Sequence, residues 1–150
     1  MARKVISSNG ASGPNGVSSL PVVVQEAGYR REAAPGGIVI LRLTDSTPET
    51  IEAWFEDCNK LMESWKPQQR LRYLHDIRQA ERVTPRGLDR VTRILHRMRL
   101  IPVGDSRGAI LTRNATLAGL LGTFLKRRPR ANWQIRFFQD EDKALHWLRQ

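Results

Sequence analysis

Short apolar runs and longer amphipathic stretches alternate along most of this chain. Ile38-Val39-Ile40-Leu41-Arg42-Leu43 is nearly continuous in apolar residues, the pattern of a strand buried on both faces. Leu20 to Tyr29 carries Val22, Val23 and Val24, a β-branched run suited to a first strand. Arg30 to Gly37 is polar and ends in Pro35-Gly36-Gly37, so it reads as the connection of a hairpin between these two strands. Leu71 to Ile77, Gly108 to Thr112 and Trp133 to Phe138 read as the remaining strands.

Between them the apolar spacing changes to that of helices. Ile51, Trp54, Phe55, Cys58, Leu61, Met62 and Trp65 form one stripe, halted by Pro67. Its start is marked twice, by Ser46 with Glu49 as a capping box and by Thr47 followed by Pro48. Thr84-Pro85 opens a second helix in the same manner, with Leu88, Val91, Leu95 and Met98 on one side and Ile94 beside them. Asn114 or Thr116 caps a third, with Leu117, Leu120, Leu121, Phe124 and Leu125 facing inward. Asp140-Glu141-Asp142 opens a fourth, where acids suit the positive end of the helix dipole, and Ala144, Leu145, Trp147 and Leu148 dock back.

The expected order is therefore ββαβαβαβα. That order predicts an α/β fold: a mainly parallel sheet of about five strands, with helices packed on it, right-handed crossovers and an antiparallel first strand. Residues 1–19 are Ser-, Gly- and Asn-rich without apolar periodicity and are expected to be a disordered tail, leaving residues 20–150 as a single domain.

Composition adds one feature to this picture. The chain carries 25 Lys+Arg against 15 Asp+Glu, and residues 66–136 hold 17 of those cations but only 4 of the acids. An excess so concentrated favours acidic proteins, polyanions or anionic surfaces as partners. The single cysteine, Cys58, rules out an internal disulfide, and its place on an apolar helix face makes it buried filler. No apolar run approaches the ~20 residues that span a bilayer, and the start turns polar at once, so a cytosolic protein is expected.

Part of the positive charge is ordered. Arg86, Arg90, Arg93 and Arg97 fall at steps of four, three and four, which places them on one stripe of the second helix. Stacked like charges repel, so the stripe points to docking of an acidic protein partner. Lys126-Arg127-Arg128-Pro129-Arg130 adds cations at the end of the third helix. Nonspecific, salt-sensitive nucleic-acid adhesion is a further reading, although the aromatics sit on core faces and not beside the cations. At the carboxyl ends of the strands, where open parallel sheets bind ligands, the chain offers Asp45, Asp76, Arg78, Arg82, Thr84, Arg86, Arg113 and Asn114. Of these Arg78, Arg82, Thr84, Arg113 and Asn114 are the candidates for holding a phosphate-bearing small ligand.

Catalytic chemistry has little to work with. His75, His96 and His146 lack the pairings of a metal site, so no metal or cofactor is expected. His75 and Asp76 are adjacent on a strand, where neighbours point to opposite faces, so they make a polar strand end and not a base with its orienting acid. No glycine-rich phosphate loop follows a strand, and there is no Gly-x-Ser-x-Gly elbow.

Three stretches carry a family resemblance: Gly37-Ile38-Val39-Ile40-Leu41-Arg42-Leu43-Thr44 before a capped helix, Leu74-His75-Asp76-Ile77, and Arg136-Phe137-Phe138-Gln139-Asp140 leading to Ala144-Leu145-His146-Trp147-Leu148. Over about residues 20–150 the chain resembles bacterial STAS-like domains, the anti-sigma-factor-antagonist fold, and in particular an uncharacterised branch grouped with CRAL-TRIO lipid-transfer domains. The resemblance implies a non-enzymatic regulatory or interaction domain. Antagonists of this kind carry a phosphorylatable Ser in an Asp-Ser-Ser-Gly-Leu-like turn. Here the turn is Thr84-Pro85-Arg86-Gly87-Leu88, so Arg86 stands at the acceptor position. CRAL-TRIO relatives are larger and hold a lipid cavity, for which the expected elements leave no room.

Overall fold

In the computed structural model the apolar run Ile38–Leu43 is the third strand, β3, of a six-stranded sheet. The structure describes residues 21–67, 69–80, 82–101, 104–126 and 132–150, except for the side chain of Phe124. The expected tail at 1–19, the inward-facing Phe124 and the cations at 127–130 lie outside the described residues. Before β3 come β1 (Val22–Glu26) and β2 (Tyr29–Ala34); after it come α1 (Pro48–Ser64), β4 (Leu71–Asp76), α2 (Pro85–Leu100), β5 (Ser106–Leu111), α3 (Ala115–Lys126), β6 (Trp133–Phe138) and α4 (Glu141–Arg149). The fold is α/β with a mixed sheet, as the sequence pattern predicts, but with one strand more.

That strand is β2, in the stretch that reads as a polar connection. It pairs antiparallel with both β1 and β3, along its whole length with the latter, Tyr29 opposite Leu43 and Ala34 opposite Ile38. Its charges do not exclude it from the sheet because each finds a partner, Arg30 in Glu32 of the same strand and the others on neighbouring elements. Arg31 Nε lies 3.3 Å from Asp57 Oδ2 of α1, and the buried Glu32 pairs with Arg42 of β3. The tight turn from β1 puts Ala27 at φ 51° and brings Gly28 against Asp45, where a Cβ would lie 2.3 Å from Oδ2.

From β3 to β6 all pairing is parallel, and the strand order is simply β1-β2-β3-β4-β5-β6. Successive crossovers of one hand that always step in the same direction put their helices on one face. Accordingly α1, α2 and α3 share a face, and α4, which follows the last strand, is left to cover the other. One core joins Tyr29, Leu41 and Leu43 to Ile51, Trp54 and Cys58 of α1 and Ile94 of α2. The other joins Ile38, Ile40, Leu74, Ala109 and Leu111 to Ala144, Trp147 and Leu148. Cys58 is buried as expected, and burial pushes its thiol up.

The helix starts are the predicted ones. Thr47 Oγ1 accepts from Thr50 N, Thr84 Oγ1 from Gly87 N, Asn114 Oδ1 from Leu117 N and Asp140 Oδ1 from Lys143 N. At α1 Thr47, with Pro48 following, is the cap, and Ser46 is not.

Candidate functional site

The stretch Leu74-His75-Asp76-Ile77-Arg78 serves both faces of the sheet. Strand alternation sends His75 towards α1 and Asp76 towards α4, so the adjacent pair is indeed split between the two sides. Each becomes the centre of a separate polar arrangement.

On the α4 side Asp76 joins an ion-pair network around Arg42. Arg42 Nη1 donates to Asp76 Oδ2 at 2.7 Å, its Nη2 to Glu141 Oε1 at 2.6 Å, and its Nε to Glu32 at 3.1 Å. Arg78 Nε donates to Asp76 Oδ1 at 2.9 Å and its Nη2 to Glu141 Oε2 at 3.0 Å, while Arg30 reaches Glu32 at 2.7 Å. Three guanidiniums thus face three carboxylates. Hydrogen bonds from Arg42 hold the Glu141 carboxyl below its ordinary range. Burial raises Asp76, but the hydrogen bonds from Arg78 and then Arg42 outweigh it and leave that carboxyl lowered as well. The network fixes the N-terminus of α4 to the ends of β3 and β4 and is neutral as a unit.

This fixes where the anion-binding candidates stand. Arg78 is committed to Asp76 and Glu141, and Arg113 is also engaged. Asn114 caps α3, and Thr84 caps α2. Only Arg82 and Thr84 come together, as parts of one cavity wall. The physical reason lies in the strand order: it never reverses, so these residues have no topological switch point, the place where such sheets open a ligand crevice.

The arginine stripe of α2 is directed at α1 and largely answered there. Arg86 Nη1 and Arg90 Nε both donate to Glu52 Oε1, at 3.1 and 2.9 Å. Arg90 also stands 4.7 Å over the Phe55 ring. Arg93 Nε donates to Asp89 Oδ2 at 3.0 Å, and Arg97 bonds Asn59 and lies 3.7 Å from Glu63. The hydrogen bond from Arg90 is foremost in holding the Glu52 carboxyl below its ordinary range. Four guanidiniums meet three carboxylates, and Arg93 and Arg97 keep 62% and 43% of their side chains exposed. Beyond this ridge runs an open groove of about 620 Å³, lined by Arg93, His96, Arg97 and Arg99 together with Thr92, Leu95 and Trp133.

On the other side of α2 lies an arrangement that the apolar spacing did not disclose. Leu88, Val91 and Leu95 do not close on the sheet; with Leu117, Leu121 and Leu125 of α3 they wall a cavity of about 150 Å³. Leu88, Val91, Leu95, Leu121 and Leu125 are only half-buried, and Leu120, expected inward, is 41% exposed. The cavity floor is the sheet: Tyr73 and His75 of β4, Ile110 of β5 and Ile135 of β6. A second, smaller cavity of about 60 Å³ lies nearby between α1, α2 and β4.

Two indoles set the chemistry of that floor. Trp54 Nε1 donates to His75 Nε2 at 3.1 Å, and Trp133 Nε1 donates to the Tyr73 hydroxyl at 3.1 Å. The Tyr73 and His75 rings meet edge to face with centroids 5.4 Å apart. Tyr73 leans over β5 because residue 108 is glycine: a Cβ there would lie 2.3 Å from Cζ of the ring. Burial alone pushes the His75 imidazole down to about 4, and burial, against the Trp133 hydrogen bond, raises the Tyr73 hydroxyl, so both rings are neutral near pH 7. Sequence alone had placed Trp54 in the core and His75 at a strand end, and nothing in their spacing of 21 residues joins them.

Among the described residues no group of three His, Cys, Asp or Glu side chains stands close enough to hold a metal ion, and no helix is long and apolar enough to cross a membrane.

No protein-family model matches this sequence, and no curated protein matches it. Among solved structures, the chain is similar to an uncharacterised protein of the DUF3478 family with a SpoIIAA-like fold from Shewanella loihica PV-4. The two superpose with a TM-score of 0.59 at 17% identity, over 89% of this chain and 99% of the other. A likeness at that identity speaks for architecture: the chain has the SpoIIAA-like, that is STAS-like, fold.

Proposed function

We propose that the chain is a non-enzymatic regulatory domain of STAS-like fold that acts by binding, with the cavity beneath α2 and α3 as its ligand site. The observation that carries this reading is the cavity itself. About 150 Å³ walled by Leu, Val, Ile and aromatic side chains, and half-open to solvent, is room for a benzene-sized guest with a way in. The helix that roofs the cavity also carries Arg86, Arg90, Arg93 and Arg97, so a guest that shifts α2 alters the outer face as well. A thermal-shift panel of small apolar compounds tests the reading. A compound at 100 times its dissociation constant adds ~2.7 kcal/mol of stability. A flat response to every compound at millimolar concentration overturns it.

A second reading is docking of an acidic protein partner along α2, at Arg86, Arg90, Arg93 and Arg97. Supporting it is the groove beside the ridge, whose lining among the described residues includes Arg93, His96, Arg97 and Arg99 and no carboxylate. Titration with an acidic peptide such as oligoglutamate tests this. Arg93→Glu combined with Arg97→Glu is expected to abolish binding, and unchanged binding overturns it. Inorganic phosphate, aimed at Arg82 and Thr84, and a gel shift with random-sequence DNA at low salt serve as the arms for the phosphate-ligand and nucleic-acid readings.

A further inference from the structure

We infer that the guest of this cavity is a compact, uncharged apolar molecule with one hydrogen-bond acceptor, of the size and kind of an aryl ketone or ester, whose oxygen is held by His75 and Tyr73. This rests on the ligand-site reading above and adds the chemical class to it.

The inference begins with proton positions. An indole N–H can only donate. Because Trp54 Nε1 donates to His75 Nε2, that nitrogen is the acceptor of a neutral imidazole and the ring proton sits on Nδ1. By the same reasoning, the Trp133 indole fills an acceptor site of the Tyr73 hydroxyl and leaves that group its own proton. Among the described residues neither His75 Nδ1 nor the Tyr73 hydroxyl has an acceptor for its proton. Both side chains lie in the cavity floor. A guest with an acceptor gives such a proton a partner in place of water.

The rest of the cavity sets the body and the charge of that guest. Among the described residues, apart from Ser46, Arg82 and Thr84, the lining is apolar or aromatic; Arg82 is exposed, and Thr84 already caps α2. A carboxylate carried to the floor would lose its water against two neutral donors, a poor exchange for a charge. The volume matches a ring with a small substituent, and a long acyl chain would run out of it into solvent.

Three near-isosteric probes decide the matter, titrated into the full chain and followed by tryptophan fluorescence and thermal shift: acetophenone, ethylbenzene and benzoate. Acetophenone is expected to bind about three- to tenfold more tightly than ethylbenzene, the range of one net hydrogen bond, and benzoate least. In His75→Leu and Tyr73→Phe that advantage shrinks, while ethylbenzene still binds. Equal affinity for acetophenone and ethylbenzene, or preference for benzoate, overturns the inference but leaves the cavity reading standing. Failure of all three probes overturns both. Independently of folding in the variants, the ¹⁵N spectrum of the wild-type imidazole is expected to show the proton on Nδ1, and a proton on Nε2 overturns the inference.

Discussion

The indole of Trp54 stands edge-on to the imidazole of His75, with centroids 5.9 Å apart, planes at 69° and the Nε1 proton directed at Nε2. One residue comes from α1 and the other from β4, so their hydrogen bond ties the first crossover helix to the middle of the sheet. It also accepts only a neutral imidazole.

That constraint gives the protein a pH dependence with a definite sign. Burial lowers His75 from its ordinary 6.5 to about 4, so between these values the unfolded chain binds the extra proton and the folded one does not. The stability this group contributes is complete above pH 6.5 and is lost as pH falls towards 4, by up to ~3 kcal/mol. Urea unfolding of the wild type and of His75→Asn across this range checks it. The two curves are expected to converge as the pH drops, and parallel curves would exclude the effect.

Arg42 is the centre of its network, and removing it leaves the buried Glu32 with Arg30 alone and the buried Asp76 with Arg78 alone. Because Arg30 and Arg78 remain, Arg42→Met is expected to destabilise the fold by ~2–3 kcal/mol, the loss of charge-assisted hydrogen bonds and not of the last counter-charge. Arg42→Lys restores charge but not the fork that reaches Asp76, Glu141 and Glu32 together, and should recover only part of the loss. Chemical denaturation at pH 7 measures both. Because Asp76 and Glu141 have lowered carboxyls, the wild type loses the network's contribution as pH falls below the ordinary carboxylate range, and Arg42→Met loses less there.

Glu52 restrains two of the four arginines on α2, so Glu52→Gln is expected to strengthen binding of acidic peptides. Its pairs are partly exposed, so the effect on stability stays within ~1 kcal/mol. Isothermal titration with oligoglutamate at two salt concentrations reads the gain, which salt should erode. An unchanged affinity would mean that Arg86 and Arg90 serve α1 alone.

Gly108 has a neighbour that cannot swing aside. Gly108→Ala places a methyl 2.3–2.6 Å from three atoms of the buried Tyr73 side chain, an overpacking expected to lower stability by ~1–3 kcal/mol. Combining it with Tyr73→Leu should cost less than the two changes summed, since the ring that clashes is gone. Additive losses in urea midpoints would place the strain elsewhere.

The strands and helices with strong apolar periods, and the caps Thr47, Thr84, Asn114 and Asp140, are local features, which is why they could be read in order along the chain. β2 could not be, because Arg30, Arg31 and Glu32 look like loop residues until Asp57 and Arg42 are known to stand beside them. The arginine stripe was legible as a stripe. Its pairing with Glu52, 34 and 38 residues away, was not.

From β3 onwards the order of strands and helices, and the starts of the helices, were thus determined by the sequence, since each element depends on residues within one or two turns of one another. Tertiary structure alone decided that α2 and α3 stand apart far enough to leave a cavity, and that Trp54, His75, Tyr73 and Trp133 meet in or beside its floor. Contacts of that kind depend on how far a helix sits from a sheet and which way a strand turns its side chains. Neither distance nor direction is written in the spacing of residues along the chain.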